Sequence, residues 1–293
     1  MRYVPGLAGG RKGEYLTDRL TSEALATMRQ VQDRPFFLHL AYHTVHTPIE
    51  ARPEIVERYA TKVRPERQHR NPVYAAMVHS LDENVGRLRS ALEELGLAER
   101  TIIVFTSDNG GYINENRGRQ VTDNHPLRSG KGSLYEGGLR VPLIVRWPGV
   151  TPEGETCDRI TLSHDLYPTI LDMTGVRSPG PSDVEPDGES LVPFLRAPHR
   201  HARRGPVFWH YPHDYFFPRT TPVSAVRDGD WKLIEFLEDG RVELFHLRED
   251  IGESRDLSES RTGKADELRR ALGAWREDVG AQMPTPNPAW TEP

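Results

Sequence analysis

Hydrophobic positions change period repeatedly along the chain. Over residues 14–32, Leu16, Leu20, Leu25 and Met28 fall at helical spacing, and Asp33-Arg34-Pro35 ends the run. Residues 36–41 are apolar apart from His39, which predicts a short buried parallel strand. Helices are expected over 53–59 and 74–95. The second carries Met77, Leu81, Val85, Leu88, Leu92 and Leu95 on one face, with Gly96 placed as its C-cap. A β-branched run over 101–105 predicts another buried parallel strand, broken at Ser107-Asp108-Asn109-Gly110-Gly111 and followed by a long polar loop. A further apolar run covers 141–147. Beyond 205 the pattern shortens to partly alternating runs at 206–210, 223–227, 231–236 and 242–247. Gly229-Asp230 and Asp239-Gly240 punctuate them as hairpin turns. An amphipathic helix over 265–279 precedes a Pro-rich tail. Residues 1–13 read as a glycine-rich basic loop. The Pro-, Gly- and charge-rich stretch 177–205 divides a 1–205 portion from a 206–293 portion.

Composition narrows this without redirecting it. At 293 residues the chain can bury a full core, as one domain or two unequal ones. The net charge of −5, with mixed signs, gives no argument for nucleic acid or anionic membranes as partners. The one cysteine, Cys157, excludes an intrachain disulfide and a cysteine metal cage, and reads as a structural or surface thiol. No apolar run approaches the ~18–20 residues of a membrane span. The first residues lack a signal-peptide apolar core.

Candidate chemistry gathers where strands end, because polar residues at the carboxyl ends of parallel strands are where α/β folds place ligands. Asp108 and Asn109 each offer a hard oxygen suited to a cation, beside glycines that permit close approach. Lys131, between Gly130 and Gly132, offers a mobile positive charge to an anion. Asp-Asn-Gly is also an ordinary turn signal. The Gly-Lys-Gly run is no P-loop: Gly132 stands where Ser or Thr is needed, and His125 where the first glycine belongs. His46, with His43 near it, follows the 36–41 run and reads as a site residue or a satisfied loop histidine. His210 and His213, within Trp209–Tyr215, belong either to a pocket wall or to a strand end with packing aromatics. His79 and Asp82 read as structural or solvated.

The segments TSDNGG, PLRSGKGSLYEGGLRVPLIVRWPG and PFFLHLAYHTVHTPIEARPE resemble the type I sulfatases of the alkaline phosphatase superfamily, and the likeness runs from Tyr15 to about Ala274. It implies an α/β sandwich core with a small C-terminal antiparallel β-sheet and helix, and a helix at 163–174 packed on the core sheet. It implies sulfuric ester hydrolysis. Asp108 and Asn109 would ligate calcium, with magnesium as the alternative. Lys131 would contact the sulfate, and His46 the sulfate or the leaving-group oxygen. His210 and His213 would line the substrate wall. The family's formylglycine segment, Cys/Ser-x-Pro-x-Arg, and its aspartate pair lie upstream of the Tyr15 segment in relatives. Neither Cys157-Asp158-Arg159 nor Ser178-Pro179-Gly180 matches that segment. The fold is therefore expected to be incomplete at its N-terminus, with Met1 an internal position of a longer protein. Full-length relatives are expected to be periplasmic or secreted. Expected partners are a small-molecule or carbohydrate sulfate ester and, through an exposed sheet edge, other copies of the chain. The alternatives are an inactive binding module and a phosphate-ester hydrolase.

Overall fold

The computed structural model describes residues 7, 9–64, 69–116, 118–177, 186–214 and 221–285. Much of the 1–13 loop, part of 177–205 including Ser178 to Pro181, Tyr215 and residues 286–293 of the Pro-rich tail lie outside the described residues. In chain order the elements are α1 (Leu16–Val31), α2 (Pro53–Ala60), α3 (Pro72–Glu94), β1 (Ile103–Thr106), β2 (Glu115–Asn116), β3 (Arg119–Gln120), α4 (Glu136–Leu139) and β4 (Leu143–Arg146). They continue as α5 (Leu166–Thr174), α6 (Val192–Arg196), β5 (Val207–Tyr211), β6 (Val223–Asp228), β7 (Trp231–Phe236), β8 (Val242–His246) and α7 (Thr262–Asp278). They fall into two compact units: Met1–Thr101 with Asn114–Asp123, and Ile102–Ile113 with Asn124–Pro293. Residue 205 thus lies inside the second unit.

In the first unit α1 and α2 both pack on α3. Asn71 starts α3 because its side chain accepts the N–H groups of Val73 and Tyr74, at 3.0 and 3.2 Å, ahead of Pro72 at the first helical position. The helix stops at Gly96, whose φ of +65° lets Leu97 N–H reach Leu92 O at 2.8 Å in a Schellman closure. Its buried face is rotated from the leucine stripe expected from sequence. Ala76, Met77, Ser80, Asn84, Ala91 and Leu92 go inside, and Leu81, Val85 and Leu88 are half-buried. The reason is polar: Asn84 donates to Asp18 Oδ1 at 2.6 Å, drawing that face against α1.

The parallel strand expected at 36–41 does not form. The segment is without strand pairing among the described residues, and Phe37 is 74% exposed. An apolar β-prone run records a preference for a sheet, but the pairing itself must come from elsewhere in the chain.

In the second unit β1 pairs with β4, and the pairing is antiparallel, with Ile103 opposite Arg146 and Thr106 opposite Leu143. This corrects the parallel, buried strand expected there. Both strands are at most half-buried, and Ile144 is 60% exposed. The C-terminal meander forms as expected, a four-stranded antiparallel sheet in the order β5-β6-β7-β8. Gly229, at φ +61°, opens the two-residue turn between Asp228 and Trp231. Alternation gives the sheet two buried faces. Val226, Leu233 and Leu244 meet Ala265, Leu268 and Leu272 of α7, where Phe208 stacks on Trp275 at 4.9 Å. On the other face, Val223, Ala225, Ile234 and Phe245 pack with Leu134, Tyr135 and Leu139. Burying a leucine such as Leu268 or Leu272 contributes about 1.5–3 kcal/mol. These faces therefore hold both α7 and the 134–139 segment to the sheet. Among the described residues, no helix is long and apolar enough to cross a membrane.

Candidate functional site

The Asp108–Asn109 doublet follows directly from β1. Asp108 is exposed and Asn109 half-buried. Asp108 Oδ1 accepts the Asn109 N–H at 3.0 Å, and Ser107 Oγ donates to Asn109 O at 3.2 Å, so the doublet sits in a tight turn. The next residues enter a backbone knot. Gly110 N–H donates to Gly138 O at 2.9 Å, Lys131 N–H to Gly111 O at 3.1 Å, and Gly137 N–H to Arg128 O at 2.9 Å. Asn124 Nδ2 ties the same loops by donating to both Gly111 O and Ser129 O at 3.0 Å.

Only glycine permits this closeness. A Cβ on Gly110 would stand 1.7 Å from Gly137 O, and one on Gly137 would stand 2.3 Å from Ser129 O. The structure therefore brings Lys131 and the Asp108–Asn109 doublet onto one hydrogen-bonded body, although 22 positions separate Asn109 and Lys131 in the sequence. Their side chains supply two hard oxygens and one ammonium, the complement of a cation next to an oxyanion.

His46 lies in the first unit. Its segment is anchored to α1, where Tyr42 Oη pairs with Thr21 Oγ1 at 2.7 Å and Thr44 with Thr17. His46 is exposed, its Nδ1 lies 3.0 Å from Thr47 O, and its ring centroid lies 5.0 Å from that of His43. A proton on Nδ1, donated to that carbonyl, leaves Nε2 as the acceptor nitrogen. His210 is engaged at both nitrogens, Nδ1 with Ser224 Oγ and Nε2 with Gln282 O, each at 2.7 Å. It ties β5 to β6 and to the segment after α7. His213 is exposed, its ring edge on Tyr211 at 5.5 Å. His79 sits between Tyr59 Oη and Glu83 Oε1, both at 3.1 Å, as a structural histidine. A cavity of about 510 Å³ in the first unit, lined by Tyr59, His69, Asn71, Tyr74, His79 and Asp82 among others, contains none of the site residues expected from sequence.

The donor set matches calcium in kind. Carboxylate and carboxamide oxygens are the right chemistry, and the exposure of Asp108 leaves room for an ion. Among the described residues, no three His, Cys, Asp or Glu side chains gather to hold a metal. The doublet could therefore supply at most part of a coordination shell. Sequence reading missed a buried charged group behind the knot, formed by Glu136, Lys232 and Glu253. A lysine within the apolar run of β7 was its one visible sign.

Similarity to known proteins covers most of the chain. The family model described as Sulfatase matches residues 2–176, and that described as N-sulphoglucosamine sulphohydrolase, C-terminal, matches residues 129–277. The chain is 35% identical over 284 residues to a sulfatase of Formosa agariphila, covering 89% of this chain and 50% of the relative. It is 32% identical over 286 residues to the steryl-sulfatase of Mus musculus, covering 88% and 44%. Among solved structures, that of Ps i-CgsB in complex with k-i-k-neocarrahexaose superposes with a TM-score of 0.74 at 31% identity, over 90% of this chain and 55% of the other. The chain spans about half the length of the curated relatives it matches.

Proposed function

Because the chain belongs to the sulfatase family, we propose that it serves metal-assisted hydrolysis of sulfate esters and carries the cation- and oxyanion-facing part of the site. The observation that carries this reading is the Lys131 N–H to Gly111 O bond of 3.1 Å, which fixes the lysine loop to the acidic turn. Hydrolysis of a sulfate ester needs a nucleophile at sulfur, charge neutralisation on its oxygens, and a proton for the departing alcohol. Lys131 would meet the sulfate as a point charge. Asp108 and Asn109 would hold calcium, or magnesium in its place; a bound cation would polarise the sulfate oxygens as a Lewis acid. Calcium takes about six to eight oxygens, so two protein ligands make a weak site. His46 would offer Nε2 to the sulfate or the leaving-group oxygen. His213, exposed beside the sheet, would face substrate; His210 would act through the strand it holds. The chain contains no Cys/Ser-x-Pro-x-Arg segment, so little turnover is expected of it alone.

Carbohydrate and small-molecule sulfate esters are the proposed substrates. The oligosaccharide held by one solved relative supports the first, and the steryl-sulfatase likeness the second. Self-association is the further proposal, supported by exposed Ile144 on the short β1–β4 pair.

Calorimetric titration with calcium chloride should give a Kd above about 1 μM and no heat in Asp108→Ala. Sub-micromolar affinity, or binding indifferent to that substitution, would count against the site. An upstream reading frame encoding an aspartate pair and Cys/Ser-x-Pro-x-Arg would support the enzyme, and a nearby in-frame stop the binding module. Assays of sulfate against phosphate release from paired aryl esters, with that upstream sequence included, address the choice of ester.

A further inference from the structure

Behind the glycine knot lies a group of charges that the proposed chemistry does not use. Lys232 is fully buried, its ammonium 2.9 Å from Glu136 Oε1 and 2.8 Å from Glu253 Oε1. Both carboxylates are also buried. Arg227 stands directly opposite Lys232 in the β6–β7 register and reaches to 3.6 Å from Glu136 Oε2, while Arg140 lies 2.8 Å from the same oxygen. Like charges facing across a ladder repel, and a buried charge without a partner is strongly destabilising. The two carboxylates are what allow the cation pair to sit there. Burial works to raise the Glu136 carboxyl, but Lys232, Arg140 and Arg227 outweigh it and hold that group below the usual carboxylate range. At Glu253 burial prevails over Lys232, and the carboxyl is pushed up.

Glu253 also reaches the backbone of the knot. Its Oε2 accepts the Glu136 N–H at 2.6 Å. Its carbonyl accepts Arg128 Nη1 at 2.9 Å, and that guanidinium lies 3.9 Å over the Tyr135 ring. Glu136 immediately precedes Gly137 and Gly138, whose backbones carry the bonds to Arg128 O and from Gly110 N–H. A Cβ at Gly110 would fall 1.7 Å from Gly137 O, so the knot has no slack to absorb a shift of Glu136. Apolar side chains of similar volume commonly stabilise as well as such a buried cluster or better, so stability alone does not account for it.

We propose that Glu136, Lys232 and Glu253 are positioning residues, which hold the loops carrying Asp108–Asn109 and Lys131 in register through the Glu136 backbone. The inference rests on the reading that those loops meet the cation and the sulfate.

Hydrogen exchange on the full chain tests it, comparing the parent with Glu253→Leu and Glu253→Gln, both of which leave Lys232 paired with Glu136. In Glu253→Leu, amide protection should fall about tenfold at 109–111 and 128–138, while the β6–β7 ladder keeps its protection. Glutamine retains a carbonyl acceptor for the Glu136 N–H, so Glu253→Gln should restore loop protection to within about twofold. Leucine fills much of the same space, so a purely space-filling role would not separate Gln from Leu. Titrations with calcium chloride and sodium sulfate should weaken about tenfold in Glu253→Leu and stay near parent in Glu253→Gln. Equal behaviour of the two Glu253 variants, unchanged loop protection, or a loss spread evenly over the ladder would each overturn the proposal. A parent that binds neither probe, yet shows the exchange pattern, would remove the site reading and leave the positioning role standing.

Discussion

At Gly110 the site depends on a missing side chain. The atom a Cβ would meet is backbone, the Gly137 carbonyl, and backbone in a hydrogen-bonded knot cannot swing aside. Gly110→Ala should therefore destabilise the second unit by about 1–3 kcal/mol in urea denaturation and abolish calcium and sulfate heats together. A variant of parental stability and binding would show that the loops can yield to a methyl group. Asp165 makes the opposite kind of demand. It is buried and accepts the N–H groups of Leu162 and Glu189, at 2.7 and 2.9 Å, together with both terminal nitrogens of Arg204. Burial alone would raise its carboxyl, but Arg204 and the two backbone donors hold it below the usual range. A depressed carboxylate contributes stability that is present above the ordinary carboxylate range and lost as pH falls through the folded value. Asp165→Asn should cost about 3–5 kcal/mol near pH 7, because Arg204 loses its charge partner. Its stability should also fall less steeply than the parent's below about pH 4. Parallel acid denaturation curves for the two proteins would refute this.

At the scale of elements, α3 shows how local signals settle a helix. The Asn71 cap and the Gly96 closure are both written within four residues of the ends they control. Asn71→Ala should cost about 1 kcal/mol by thermal or urea unfolding, and a neutral result would mean that water replaces the cap. The same locality made the C-terminal meander and α7 readable in advance, since each hairpin turn lies between the strands it joins. Partners at a distance were not readable. The 36–41 run has a strand's composition and no strand's pairing. The direction of β1 is set by β4, about forty positions later. Of the site, the Asp108–Asn109 doublet and Lys131 stood out because glycines and a strand end framed them. Glu136 and Lys232 did not, because their pairing spans 96 residues and the lysine within an apolar run was the one sign of it.

For the whole molecule, the C-terminal sheet shares a core with the segment that precedes β4. Leu134, Tyr135 and Leu139 are covered by Val223, Ala225, Ile234 and Phe245. Trypsin acting at exposed Arg200 should consequently leave two pieces that co-elute in gel filtration, and pieces that separate would contradict the shared core. The arrangement also constrains how such a protein can be recombined. A chimera that exchanged only the region beyond 205 with a relative's would set one lineage's Lys232 and Glu253 against another's Glu136, and one meander's packing face against foreign residues at 134 and 139. Grafts should succeed when those positions travel as a set, whatever the loop between them contains.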